Sequence, residues 1–160
     1  DKPSRTWTDA KVVDINNDGL LDFLTVDKFK KLNIYENTGS IIDPFVTPSQ
    51  TIPLNSLLQL KTETLKPSPS RGVIKLDVFD VNADQILDLY IGTDLARDDG
   101  EGKYLGDFVI FGPNYTEFQS LGVALSGTGH VESYDNQSIV VARGGRNWTG
   151  EVILLTPKPE

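Results

Sequence analysis

The chain has 160 residues, of which 38% are hydrophobic, ordinarily enough for one domain with a core. Fifteen basic residues against 23 acidic ones leave a formal charge of −8, and no basic cluster interrupts it, so nucleic acid and anionic membrane are excluded as expected partners. Cysteine is absent, which removes disulfides and thiolate sites, and no run approaches the roughly twenty apolar residues of a membrane-crossing helix.

In chain order, the first informative segment follows Val12-Val13. It reads Asp14-Ile15-Asn16-Asn17-Asp18-Gly19-Leu20-Leu21-Asp22, with oxygen-bearing side chains at positions 1, 3, 5 and 9 around one glycine. Calcium is a hard cation that takes about six to eight oxygen ligands, and closely spaced acids and amides on a tight turn supply them. Asp14, Asn16, Asp18 and Asp22 are the expected side-chain ligands, and Leu20 adds its backbone carbonyl. Gly19 stands where the backbone turns sharply and a positive φ favours glycine.

Short apolar runs follow, Phe23-Leu24-Thr25-Val26 and then Leu32-Asn33-Ile34-Tyr35, both read as strands. A strand after the loop is the wrong partner for an EF-hand, whose twelve-residue loop lies between helices. Dockerin loops are excluded on the same ground, since they continue into a helix. Residues 44–70 carry Pro44, Pro48, Pro53, Pro67 and Pro69, a composition that suits loops and edge strands and resists helix. Within them Leu54-Asn55-Ser56-Leu57-Leu58-Gln59-Leu60 reads equally as a strand or a turn of helix.

The first pattern then returns as Asp80-Val81-Asn82-Ala83-Asp84-Gln85-Ile86-Leu87-Asp88, followed by the strand Leu89-Tyr90-Ile91. The spacing, 80 minus 14, is 66 residues, the range of a four-stranded unit with its loops. Asp80, Asn82, Asp84, Ile86 and Asp88 are the matching ligand set. Gln85 replaces the glycine, so this loop must accept a left-handed non-glycine residue or distort, and its site is expected to be weaker or empty. Arg97-Asp98-Asp99-Gly100-Glu101-Gly102 reads as an enlarged hairpin turn. A strand is expected at Phe108–Phe111. A degraded third copy without its metal loop is expected from Gly129-His130-Val131-Glu132 through Ser138–Ala142, with a last strand at Val152–Leu155.

The residues from Val12 to Phe23-Leu24, continuing through Leu32-Asn33-Ile34-Tyr35-Glu36-Asn37 and Asp43-Pro44-Phe45, closely resemble the FG-GAP and VCBS repeats of integrin α-subunit propellers and many secreted proteins. The resemblance implies an all-β chain of antiparallel four-stranded blades, with approximate repeats 1–66, 67–125 and 126–160. It also implies calcium in each acidic loop. A ring needs at least four blades, so a partial or open β-propeller is expected: part of a longer propeller completed by further repeats, a ring completed by further copies of the chain, or a small open array whose edge strands are covered by loops. Secreted, extracellular or periplasmic residence is expected, because resting cytosol holds too little calcium for such loops.

Chemistry is harder to place. His130 is the sole histidine and has no Ser or Cys nucleophile in a recognisable context near it in sequence. A metal saturated by five protein ligands leaves little room for substrate, so a non-enzyme is expected. Trp7, Trp148, Tyr104, Tyr115 and Tyr134 offer a docking or sugar-stacking surface, although strand or core positions suit them better. Arg143-Gly144-Gly145-Arg146 is a basic spot that reads more simply as a turn. Asn114, Asn136 and Asn147 begin glycosylation sequons, a mild sign of secretion. The expected function is adhesion or binding of a protein or carbohydrate ligand. The alternatives are a supporting part of a secreted polysaccharide-active enzyme and a lectin-like module.

Overall fold

A computed structural model describes residues 7–27, 30–59, 74–93, 107–121, 130–133, 139–144 and 150–155. Strands β1 (Trp7–Val13), β2 (Asp22–Asp27), β3 (Lys31–Tyr35) and β4 (Gln50–Pro53) form an antiparallel sheet in sequence order. A second sheet repeats that order with β5 (Ile74–Phe79), β6 (Asp88–Thr93), β7 (Phe108–Phe111) and β8 (Glu117–Ser120). A third pairs β9 (His130–Ser133), β10 (Ile139–Gly144) and β11 (Gly150–Leu155), with β10 central. The chain is therefore all-β with a repeat-like sheet architecture.

The registers explain where the acidic loops lie. Val13 pairs with Asp22, and Phe79 pairs with Asp88. Each loop thus closes the first hairpin of its sheet, and its ninth residue is the first residue of the second strand. In the third sheet the matching connection, residues 134–138, lies outside the described residues; it is shorter than 14–21 or 80–87.

Alternation places Leu32 and Ile34 inward on β3, while Leu24 and Val26 do the same on β2. Strand β7 opens with three successive buried residues, Phe108-Val109-Ile110, as expected of a strand covered on both faces. Leu24, Leu32, Ile34, Leu76, Leu89 and Ile110 belong to one apolar cluster that spans the first two sheets, so neither sheet supplies a core alone.

The undecided segment at Leu54 resolves as one helical turn, α1 (Leu54–Leu57), closed by the Leu58 amide on the Leu54 carbonyl at 2.9 Å. Four-residue spacing puts Leu54 and Leu58 on one face, and both are fully buried. No side chain caps it; the Leu54 N–H instead donates to the Lys30 carbonyl at 2.9 Å. Strand β4, just before it, is the outer edge of its sheet, where the proline-rich composition places a strand.

Leading strands of successive sheets touch, β1 against β5 and β5 against β9. Polar ties reinforce the first contact. The Lys11 ammonium lies 3.3 Å from the buried Asp77 carboxylate, and the Leu76 N–H donates to Asp9 Oδ2 at 3.0 Å. At the far edge, Gln50 Nε2 donates to the Asn114 carbonyl at 3.0 Å.

Candidate metal-binding loops and the cleft beside them

Both acidic loops are folded by left-handed residues at positions 4 and 6. In the first these are Asn17 (φ 58°) and Gly19 (φ 86°); in the second, Ala83 (φ 61°) and Gln85 (φ 69°). Gln85 therefore accepts the glycine conformation and leaves the loop undistorted. Asparagine and glycine visit this region cheaply, whereas a Cβ costs about 1–2 kcal/mol there.

That backbone turns successive amides onto the first aspartate. The N–H groups of Asp18 and Gly19 donate to the two oxygens of Asp14, at 3.0 and 2.8 Å. Those of Asp84 and Gln85 donate to Asp80, at 3.1 and 2.8 Å. The Asp18 N–H also reaches Asn16 Oδ1, Asn16 Nδ2 donates to Asp18 Oδ2, and the Leu20 N–H donates to Asp18 Oδ1. The same bonds recur among Asn82, Asp84 and Ile86.

The ninth aspartates act differently. Asp22 and Asp88 are fully buried, and each accepts one N–H from its own loop and one from beyond the third strand of its sheet. For Asp22 the donors are Ile15 and Asn37, at 2.9 and 2.8 Å; for Asp88 they are Val81 and Gly112, at 3.0 and 2.9 Å. The eighth carbonyl is held too, Leu21 by Asn37 Nδ2 and Leu87 by the Tyr115 hydroxyl. Burial raises the Asp88 carboxyl above its ordinary value; the Gly112 and Val81 amides oppose the rise, and the Asp84 and Asp80 charges add to it.

As a donor set the residues suit calcium, since every candidate ligand atom is a hard oxygen. In this structure those oxygens are turned toward amides, and among the described residues no three His, Cys, Asp or Glu side chains converge as a metal-holding group. A carboxylate oxygen that accepts one N–H keeps further acceptor capacity, and Asn16, Asp18, Asn82 and Asp84 are exposed enough to reorient. Leu20 and Ile86 occupy the seventh position, with the Leu20 side chain facing solvent.

Between the two loops opens a cleft of ≈ 280 Å³. Ile15, Ile34, Ile86 and Pro113 give it apolar walls, Asn16, Asn17, Glu36 and Gln50 give it polar groups, and Tyr115 completes the lining. Tyr115 is buried, and its phenol is pushed up to about 12, first by burial and then by the charges of Asp88, Asp22 and Glu36. A residue of the second sheet thus feels both loops.

Neither Asn37 and Gly112 nor Tyr115 belongs to the nine-residue motif, and spacing alone gives no sign of them. The Asn37 N–H meets Asp22 from 15 residues away, and the Gly112 N–H meets Asp88 from 24. Of the expected aromatic surface, Tyr115 is an interior residue, while the side chains of Trp7, Tyr104, Tyr134 and Trp148 lie outside the described residues. So do the turn at 97–102, Ser138, Asn136, Asn147 and the side chain of His130, whose backbone opens β9. Asn114 is exposed. Arg143 and Gly144 end β10, whereas Gly145 and Arg146 are outside the described residues. Comparison with protein-family models, with curated proteins and with solved structures gave no match.

Proposed function

We propose that this chain is a calcium-stabilised, non-catalytic binding scaffold of the FG-GAP/VCBS type, acting outside the cytosol on a protein or carbohydrate ligand. The observation that carries the reading is the repetition of six hydrogen bonds, residue for residue, in two loops whose sequences differ at the glycine position, with a seventh reaching each ninth aspartate from beyond the third strand. Side chains kept for a solvated turn have no need to repeat acid, amide, acid and acid with the same partners.

In this proposal Asp14, Asn16, Asp18, Asp22 and the Leu20 carbonyl hold one ion; Asp80, Asn82, Asp84, Asp88 and the Ile86 carbonyl hold a weaker second one. The ion offsets repulsion among carboxylates that the fold has gathered and partly dried. The contacts of β1 with β5 and of β5 with β9 support a blade arrangement in which leading strands line an axis, with further blades completing the ring.

Calorimetric titration of chelator-stripped protein with calcium, with a melting curve at each end, tests the reading. One or two ions should bind saturably, and free calcium a hundredfold above the dissociation constant adds about 2.7 kcal/mol per site. No heat and no change in melting temperature would overturn it. Asp18→Ala should abolish the tighter site, and Asp84→Ala should remove only the weaker one; equal effects would refute the ranking.

A further inference from the structure

We propose that the cleft between the loops receives a guanidinium-bearing side chain of a partner protein, with the cationic head on Glu36 and the aliphatic stem against Ile15, Ile34 and Ile86. At ≈ 280 Å³ the cavity is at the small end for organic ligands and suits one long side chain. Its apolar walls exclude a simple hydrated ion as the natural occupant. Its polar groups exclude a purely apolar one.

Charge selects the sign. Glu36 lies on the lip, exposed, and among the described residues no side chain forms an ion pair with it. Glu36 is the one charged side chain among the residues that line the cleft.

Guanidinium fits better than ammonium for two reasons. It is more weakly hydrated and so enters an apolar cleft at lower cost. Its planar fork addresses a carboxylate with two donors and leaves others for the amide oxygens of Asn17 and Gln50. The proposal rests on the cleft and not on metal occupancy of the loops.

The test uses butylguanidine, a guanidinium on a four-carbon stem, titrated into the full chain carrying ¹³C-labelled isoleucine methyls, once in chelator and once in calcium. Saturable shifts confined to Ile15, Ile34 and Ile86 are expected in both, with at least fivefold weaker binding in Glu36→Gln and none in Ile86→Phe, which fills the cavity. Melting curves confirm that both variants fold. Absent shifts, shifts unchanged by Glu36→Gln, or equal shifts from butylurea would overturn the proposal. Equal binding of butylamine would overturn the choice of guanidinium. Absence of calcium binding with butylguanidine shifts intact would refute the metal reading alone.

Discussion

At the residue scale the two loops form an internal comparison, the same backbone with and without glycine at position 6. Gly19 at φ 86° has open space around it, so Gly19→Ala is opposed by conformation alone. Gln85 already carries that strain at φ 69°, and Gln85→Gly should stabilise the chelated protein by about 1 kcal/mol, read as a higher midpoint in urea. Gly112 is required for a different reason: a Cβ there would sit 2.6 Å from the Leu87 carbonyl and 2.7 Å from Ile86. Gly112→Ala should therefore cost about 1–3 kcal/mol and disturb the donor to Asp88. Tyr115 sets an alkaline limit. Its folded value of about 12 exceeds the unfolded 10.0, so its contribution is complete below pH 10 and is lost as pH rises toward 12. Tyr115→Phe should flatten that loss in a stability profile between pH 9 and 12.

At the element scale, the period-2 strands were legible from their β-branched and aromatic runs, and the loops from their acid spacing. Leu32–Tyr35 and Phe108–Phe111 fall within or on observed strands because each can be read from local sequence alone. The turn at Leu54 was ambiguous because its identity depends on tertiary burial of Leu54 and Leu58 and on the remote Lys30 carbonyl. The closing partners of the ninth aspartates were hidden for a similar reason. Asn37 and Gly112 arrive through strand pairing, β2 with β3 and β6 with β7, and no local pattern marks an amide that will serve a distant carboxylate. These buried bonds make Asp22→Ala and Asp88→Ala more damaging to the chelated fold than Asp18→Ala. The first two strand amides that are wholly or partly buried and should each cost about 2–4 kcal/mol in urea unfolding, and the exposed position should cost under 1.

At the scale of the whole molecule, cohesion depends on contacts between sheets that no repeat-by-repeat reading supplies. The apolar cluster shared by the first two sheets is one such contact, and the Lys11–Asp77 pair is another. Lys11→Met keeps the stem but removes the ammonium that lies 3.3 Å from the buried Asp77 carboxylate, and should cost about 2 kcal/mol. The corresponding Asp77→Asn change should cost less in a Lys11→Met background than alone, the coupling that a double-mutant cycle reads.

Tyr115 has one further consequence. Its phenol belongs to the connection between β7 and β8, and its proton is held first by burial and then by the carboxylates of both hairpins and of Glu36. The molecule therefore carries its own voltmeter at the seam between neighbouring sheets. Any event that cancels negative charge at either hairpin lowers the pH at which this one ring ionises. Followed by ring-carbon resonance, that midpoint would report whatever settles on the seam, without an attached label.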